Sequence, residues 1–136
     1  IDSLTKKVKF HLNKFILDSC YQNIGIYFPL PYEVDIRDSF CEKKLLYPKV
    51  LNYCKMEYCE DTGNGWTQDM SGIPVPVSRE TFIPDCIIAP VVACDLNGFR
   101  LGYGKGCYDR YLTGFSGQVI WIGFSFQLVS QLPINS

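Results

Sequence analysis

The sequence predicts an α/β fold, a three-layer α/β/α sandwich around a mostly parallel sheet, with residues 1–136 forming one domain. Three observations carry this. The run Cys86 to Cys94 is apolar throughout, the pattern of a strand covered on both faces. A glycine-rich loop and a short helical stretch follow it, and Val119 to Phe124 returns as a second apolar strand. That strand–helix–strand order is the signature of a layered α/β architecture. Near the N-terminus, residues 4–16 place Leu4, Val8, Leu12, Phe15 and Ile16 at helical spacing, with Lys6, Lys7, Asn13 and Lys14 opposite.

The remaining elements follow in chain order. Ile24 to Phe28 is a short apolar run fitting a buried strand, ended by Pro29 and Pro31. Asp35 is placed to cap a helix running through Phe40 to Lys43. Leu45 to Leu51 reads as a strand interrupted by Pro48, and Met56 to Cys59 as another. Residues 60–76 contain Gly63, Gly65, Gly72, Pro74 and Pro76 and read as loop. Asp95 to Gly98 is a turn signal, and Cys107 to Leu112 the helix after the glycine loop.

Composition narrows the function classes. Of 136 residues, 47 % are hydrophobic and 20 % charged, with nine Phe, nine Tyr and two Trp to fill a core. The formal net charge is −1, so no long-range field draws nucleic acid or anionic lipid, and an anionic ligand must be held by a local device. No apolar run approaches the length of a membrane span. The seven cysteines show no C-x-x-C spacing and there is one histidine, which argues against zinc and for free thiols in a reducing, cytoplasmic setting, with a disulfide-stapled secreted domain as the alternative. Cys86 and Cys94 read as small core residues.

The candidate local device is Arg100-Leu-Gly-Tyr-Gly-Lys-Gly-Cys-Tyr-Asp-Arg110. Alternate glycines at 102, 104 and 106 let the backbone approach a ligand closely. The loop enters a helix whose first N–H groups attract phosphate. Lys105 sits within it, Arg100 and Arg110 flank it, and Asp109 offers a hard oxygen donor suited to Mg²⁺. A Rossmann loop would have glycine at Cys107, and a Walker A loop Ser or Thr at Gly106. Spacing alone therefore leaves phosphate binding and a plain strand–helix turn with a solvated lysine evenly matched.

Asp85-Cys-Ile-Ile-Ala-Pro-Val-Val-Ala-Cys-Asp95 followed by Gly98-x-Arg-Leu-Gly-Tyr-Gly-Lys-Gly-x-Tyr-Asp-Arg-Tyr-Leu112 resembles the signature of the 5-formyltetrahydrofolate cyclo-ligases over more than twenty positions. Pro31-x-Glu-Val-Asp35 resembles that family's Glu-containing turn, and Gly72-Ile-Pro-x-Pro76 its Gly-Ile-x-Glu-Pro loop. The resemblance implies an enzyme of one-carbon metabolism that uses ATP and Mg²⁺ to convert 5-formyltetrahydrofolate to 5,10-methenyltetrahydrofolate, releasing ADP and phosphate. It implies that Arg100, Leu101, Gly102, Tyr103, Gly104, Lys105, Gly106, Cys107 and Tyr108 bind ATP, with Lys105 and Arg100 catalytic and Asp109 holding the metal. Phe28, Glu33, Tyr103, Gly104, Lys105, Gly106 and Cys107 would line the folate pocket, with Glu33 bonded to the pterin. The expected partners are folate and ATP, with no nucleic acid or membrane, for a cytoplasmic monomer.

The sequence departs from the family pattern. A Lys/Arg pair on a helix upstream of Ile1 and a second Asp after the final Leu-Pro are expected to be missing, and Val75 replaces a Glu. Cys94 and Cys107 stand where aromatics are common. A rival from another class is thus a degenerate folate- or nucleotide-binding homologue without turnover, favoured by those departures and opposed by the intact 98–112 signature. Plainer readings also exist for single residues: Glu33 as a solvated loop carboxylate, Asp109 as a complement to the helix dipole, Tyr103 and Tyr108 as core aromatics. His11 and Lys6, Lys7, Lys9 and Lys14 read as a solvated helix face, and Trp66 either covers a ligand or packs locally.

Overall fold

A computed structural model of the chain describes residues 2–31, 33–40, 42–52, 55–90 and 107–122. The N-terminal helix α1 spans Asp2–Leu17. Strands β1 (Asn23–Gly25), β2 (Lys44–Val50), β3 (Met56–Glu60), β4 (Trp66–Gln68), β5 (Pro74–Pro76) and β6 (Cys86–Pro90) follow, then helix α2 (Cys107–Leu112) and β7 (Gln118–Ile122). Five strands form one sheet in the order β3-β2-β1-β6-β7, parallel except for β3 at the edge.

Strand alternation sorts side chains to two faces. Ile24, Ile26, Tyr47, Cys86, Ile88 and Ile122 meet Leu12 and Ile16 of α1 on one face. Leu46, Tyr58, Ile87 and Ala89 meet Cys107 and Tyr108 of α2 on the other. Among the described residues a helix covers each face of a mostly parallel sheet, in keeping with the predicted three-layer sandwich. The central strand β6 is buried at all five positions, which is why it reads as a continuous apolar run. Its predicted extension over 91–94, and that of β7 over 123–124, lie outside the described residues.

The sheet closes over a long stretch of chain. The Asp85 carboxylate accepts from the backbone N–H groups of Gln22 (3.0 Å) and Asn23 (3.1 Å), 63 and 62 residues earlier. Asp85 N–H donates to the Asn23 carbonyl at 2.9 Å. Together these fix the entry of β6 beside β1, in the register Ile24 to Cys86.

Several expectations are corrected. Phe15 is 47 % exposed and does not join the buried face of α1. Lys9 is not simply solvated, because it pairs with Asp38 at 2.7 Å. The helix expected from Asp35 to Lys43 does not form among the described residues there: the Asp35 carboxylate is taken by the Arg37 backbone N–H and guanidinium, and Phe40 has φ of 58°. A left-handed residue there cannot continue a right-handed helix.

Pro48 does not interrupt β2. Leu51 donates to Lys55 on the β3 side while Val50 donates to the Asp69 carboxylate on the other. Alternation therefore turns the Pro48 nitrogen away from β3, beyond the end of β1, where the ladder needs no donor. Finally, the expected loop 60–76 contains the hairpin β4–β5. Asp69 builds its turn, accepting from Ser71 N–H (2.8 Å) and Ile73 N–H (3.1 Å), with Gly72 at φ 82°.

Candidate active site

The topology sets where a ligand fits. β1 and β6 are parallel neighbours, but the chain leaves β1 towards β2 and leaves β6 towards β7. In open α/β sheets diverging exits leave a crevice at the carboxyl ends of the strands, the usual ligand position.

On the β1 side the chain runs from Gly25 through Ile26, whose N–H donates to the Leu46 carbonyl at 2.8 Å. The Tyr27 hydroxyl donates to the Val34 carbonyl, tying Val34 to the chain that leaves β1. Burial, with Glu33 and Asp35 nearby, pushes the Tyr27 phenol far above its usual range, so it stays a donor. Glu33 is half-buried; its Oε1 accepts from Leu30 N–H at 2.8 Å, and its own N–H donates to the Leu30 carbonyl at 2.9 Å. The carboxylate is thus held in place by the turn it closes.

Phe28 follows directly. The Arg37 guanidinium lies 4.5 Å from the centre of its ring, and Trp66 of β4 packs edge-to-face against it at 5.9 Å. Trp66 also meets Tyr47 at 4.9 Å. Arg37 donates from Nε and Nη2 to the two Asp35 oxygens at 2.9 and 2.8 Å. Those bonds hold the Asp35 carboxyl below its usual range and raise Arg37 further.

On the β6 side, α2 follows the glycine loop. Its last turn leads through 113–117 to Gln118, whose N–H reaches the Asp85 carbonyl at 3.3 Å, at the amino edge of the sheet. Its first turn therefore points back to the crevice. Cys107 and Tyr108 are buried against the sheet, while Asp109 and Arg110 are exposed. The Asp109 carbonyl accepts from the Thr113 hydroxyl at 2.9 Å. Beside α2, a cavity of about 480 Å³ is lined by Asn52, Lys55, Met56, Arg110 and Tyr111.

Of the sequence-derived site residues, the structure thus sets Phe28 and Glu33 on one lip and Cys107, Tyr108 and Asp109 on the helix of the other. Arg100, Leu101, Gly102, Tyr103, Gly104, Lys105 and Gly106 lie outside the described residues. Val75, where the resemblance leads one to expect a Glu, is fully buried on β5. Sequence reading missed Arg37 and gave Trp66 no partner, because their meeting at Phe28 depends on the hairpin and the β1 exit converging in space.

The mostly parallel sheet, covered by α1 on one face and α2 on the other, defines an α/β fold. Residues 13–136 match the 5-formyltetrahydrofolate cyclo-ligase family, and the chain belongs to it. The 5-formyltetrahydrofolate cyclo-ligase of Mycoplasma pneumoniae is 31 % identical over 136 residues, covering 91 % of this chain and 73 % of the relative. That of Haemophilus influenzae is 31 % identical, covering 82 % and 68 %. Among solved structures, the 5,10-methenyltetrahydrofolate synthetase of Aquifex aeolicus superposes with a TM-score of 0.76 at 32 % identity, over 98 % of this chain and 73 % of that one.

Proposed function

We propose that this enzyme consumes ATP to close 5-formyltetrahydrofolate to 5,10-methenyltetrahydrofolate, releasing ADP and phosphate. The γ-phosphoryl group passes to the formyl oxygen, the second folate nitrogen attacks the activated carbon, and phosphate leaves. Phosphoryl transfer asks a protein for positioning and charge neutralisation more than covalent chemistry. Lys105, Arg100 and the N–H groups of residues 101–108 meet that demand on the ATP side. Glu33, fixed by its turn, accepts from the pterin, and Phe28 flanks it.

Asp109 fits a Mg²⁺ ligand: it is an exposed carboxylate in the first turn of the helix that leaves the glycine loop. The ion there would offset phosphate charge. No helix among the described residues is long and apolar enough to cross a membrane. The reading carries a cytoplasmic monomer with folate and ATP as its small-molecule partners.

The observation supporting this reading most is the 98–112 signature leading into a helix aimed at the crevice of a sheet shared with the synthetases. The test is the absorbance of the methenyl product on mixing the chain with 5-formyltetrahydrofolate, ATP and Mg²⁺. Turnover in wild type, nearly abolished in Lys105→Ala with melting temperature unchanged, is the expected result. Ligand binding with no product would select the degenerate homologue instead.

A further inference from the structure

We infer that Arg37, Phe28 and Trp66 form the subsite for the p-aminobenzoyl-glutamate half of the folate, its benzoyl ring against Trp66 and a glutamate carboxylate on Arg37. This rests on the folate reading above and adds the residues that hold the substrate away from the reacting nitrogens.

The cluster is built rather than incidental. Arg37 and Trp66 lie 4.5 Å and 5.9 Å from the centre of one Phe28 ring, so cation and indole flank the residue that ends the β1 exit. Asp69 ties the hairpin that carries Trp66 to the sheet, because its carboxylate accepts from Val50 N–H at 2.9 Å. All three residues of β4 are exposed, yet the position facing Phe28 is a tryptophan, still 41 % exposed after its contacts. An indole half-wrapped by rings with the rest open is a stacking platform of the kind interfaces reuse.

Arg37 supplies the polar half. A guanidinium has five N–H donors, and Asp35 engages Nε and one Nη2 hydrogen. Three donors remain on a side chain 38 % exposed. The Asp35 bonds and the Phe28 ring hold the fork in one orientation, which lowers the ordering cost of gripping a second carboxylate. Because Asp35 cancels the net charge of the pair, recognition depends on directed N–H groups rather than on field. A lysine, a point charge without the fork, is then a poor substitute.

The experiment compares two ligands by calorimetry on the intact chain. One is 5-formyltetrahydrofolate; the other is 5-formyl-6-methyltetrahydropterin, which lacks the benzoyl-glutamate half. Arg37→Gln and Trp66→Ala are each expected to weaken the full ligand by about tenfold or more, the size of one charged or stacked contact. The truncated ligand should bind all three proteins equally, and Arg37→Lys should not restore the loss. Equal weakening of both ligands would make the cluster a general support of the pocket and overturn the subsite. So would full-ligand affinity unchanged in both variants. Failure of wild type to bind the full ligand is a separate result, and it overturns the folate reading and the subsite together.

Discussion

The two faces of the sheet solve the same covering problem differently. The α1 face is mostly aliphatic, with Leu12, Ile16, Ile24, Ile26, Val34, Ile36, Ile88 and Ile122 under a 16-residue helix. The α2 face is smaller and aromatic: Tyr58 meets Tyr111 at 5.2 Å, Tyr108 meets Trp121 at 6.1 Å, and its helix has six residues. A six-residue helix has no stability of its own, so α2 exists because those rings hold it. The α1 face is scaffold, whereas the α2 face couples packing directly to the loop that α2 terminates.

Neighbouring isoleucines on β6 test that contrast most strongly. Ile88 faces α1 and Ile87 faces α2, both fully buried. Each change to alanine is expected to cost about 2–5 kcal/mol in denaturant melts. Only Ile87→Ala should also lower turnover per folded molecule, because its cavity undercuts α2. Equal specific activity in the two variants would erase the distinction between scaffold and coupled face.

Gly25→Ala comes next. A Cβ there would stand 2.9 Å from Tyr58 Cε1 and 3.2 Å from Pro84 Cγ, and the Tyr58 ring is fully buried with no space to retreat. Overpacking of about 1–3 kcal/mol is expected, read as a lower melting temperature. Tyr58→Phe should move the other way. The Tyr58 hydroxyl is buried with no hydrogen-bond partner among the described residues, and desolvation drives its pKa far upward. Removing it should stabilise the fold by about 1 kcal/mol.

The smallest effect belongs to the loop beside the α1 face. Arg37 depresses the Asp35 pKa in the folded state. The pair's contribution is therefore fully present above the unfolded aspartate value of about 3.9 and is lost as pH falls through the lower folded value. Melting temperatures of wild type and Asp35→Asn should converge as pH drops below about 4. A gap that stays constant down the acid limb would show that the carboxylate's charge is not what the loop uses.

α1 and the described parts of β6 and β7 were legible in the sequence through apolar spacing, and α2 through the end of the glycine loop, which marked its start. The hairpin β4–β5 was not, because three-residue strands with Pro74 and Pro76 in one and every β4 position exposed show no alternation. Asp35 misled for a physical reason. An aspartate that caps a helix and one that closes a turn on Arg37 offer the same residue to the reader, and the choice was made by Phe40 adopting a left-handed backbone. On the site, Glu33 and Phe28 were singled out as expectations through the family resemblance. Arg37 was not, since nothing local reveals that residues 28, 37 and 66 converge.

The pairing of Asp85 with Gln22 and Asn23 also has a consequence in time. During synthesis β1 cannot gain its β6 neighbour until more than sixty further residues have emerged. Through that interval Ile24 and Ile26 sit on an open strand edge, with one side of the backbone unpaired. Such high-separation pairing slows folding and leaves a nascent edge available to the wrong partner. The hazard should therefore peak in chains stalled before residue 85, where aggregation or chaperone capture would be greatest, and decline once β6 is released to close the sheet.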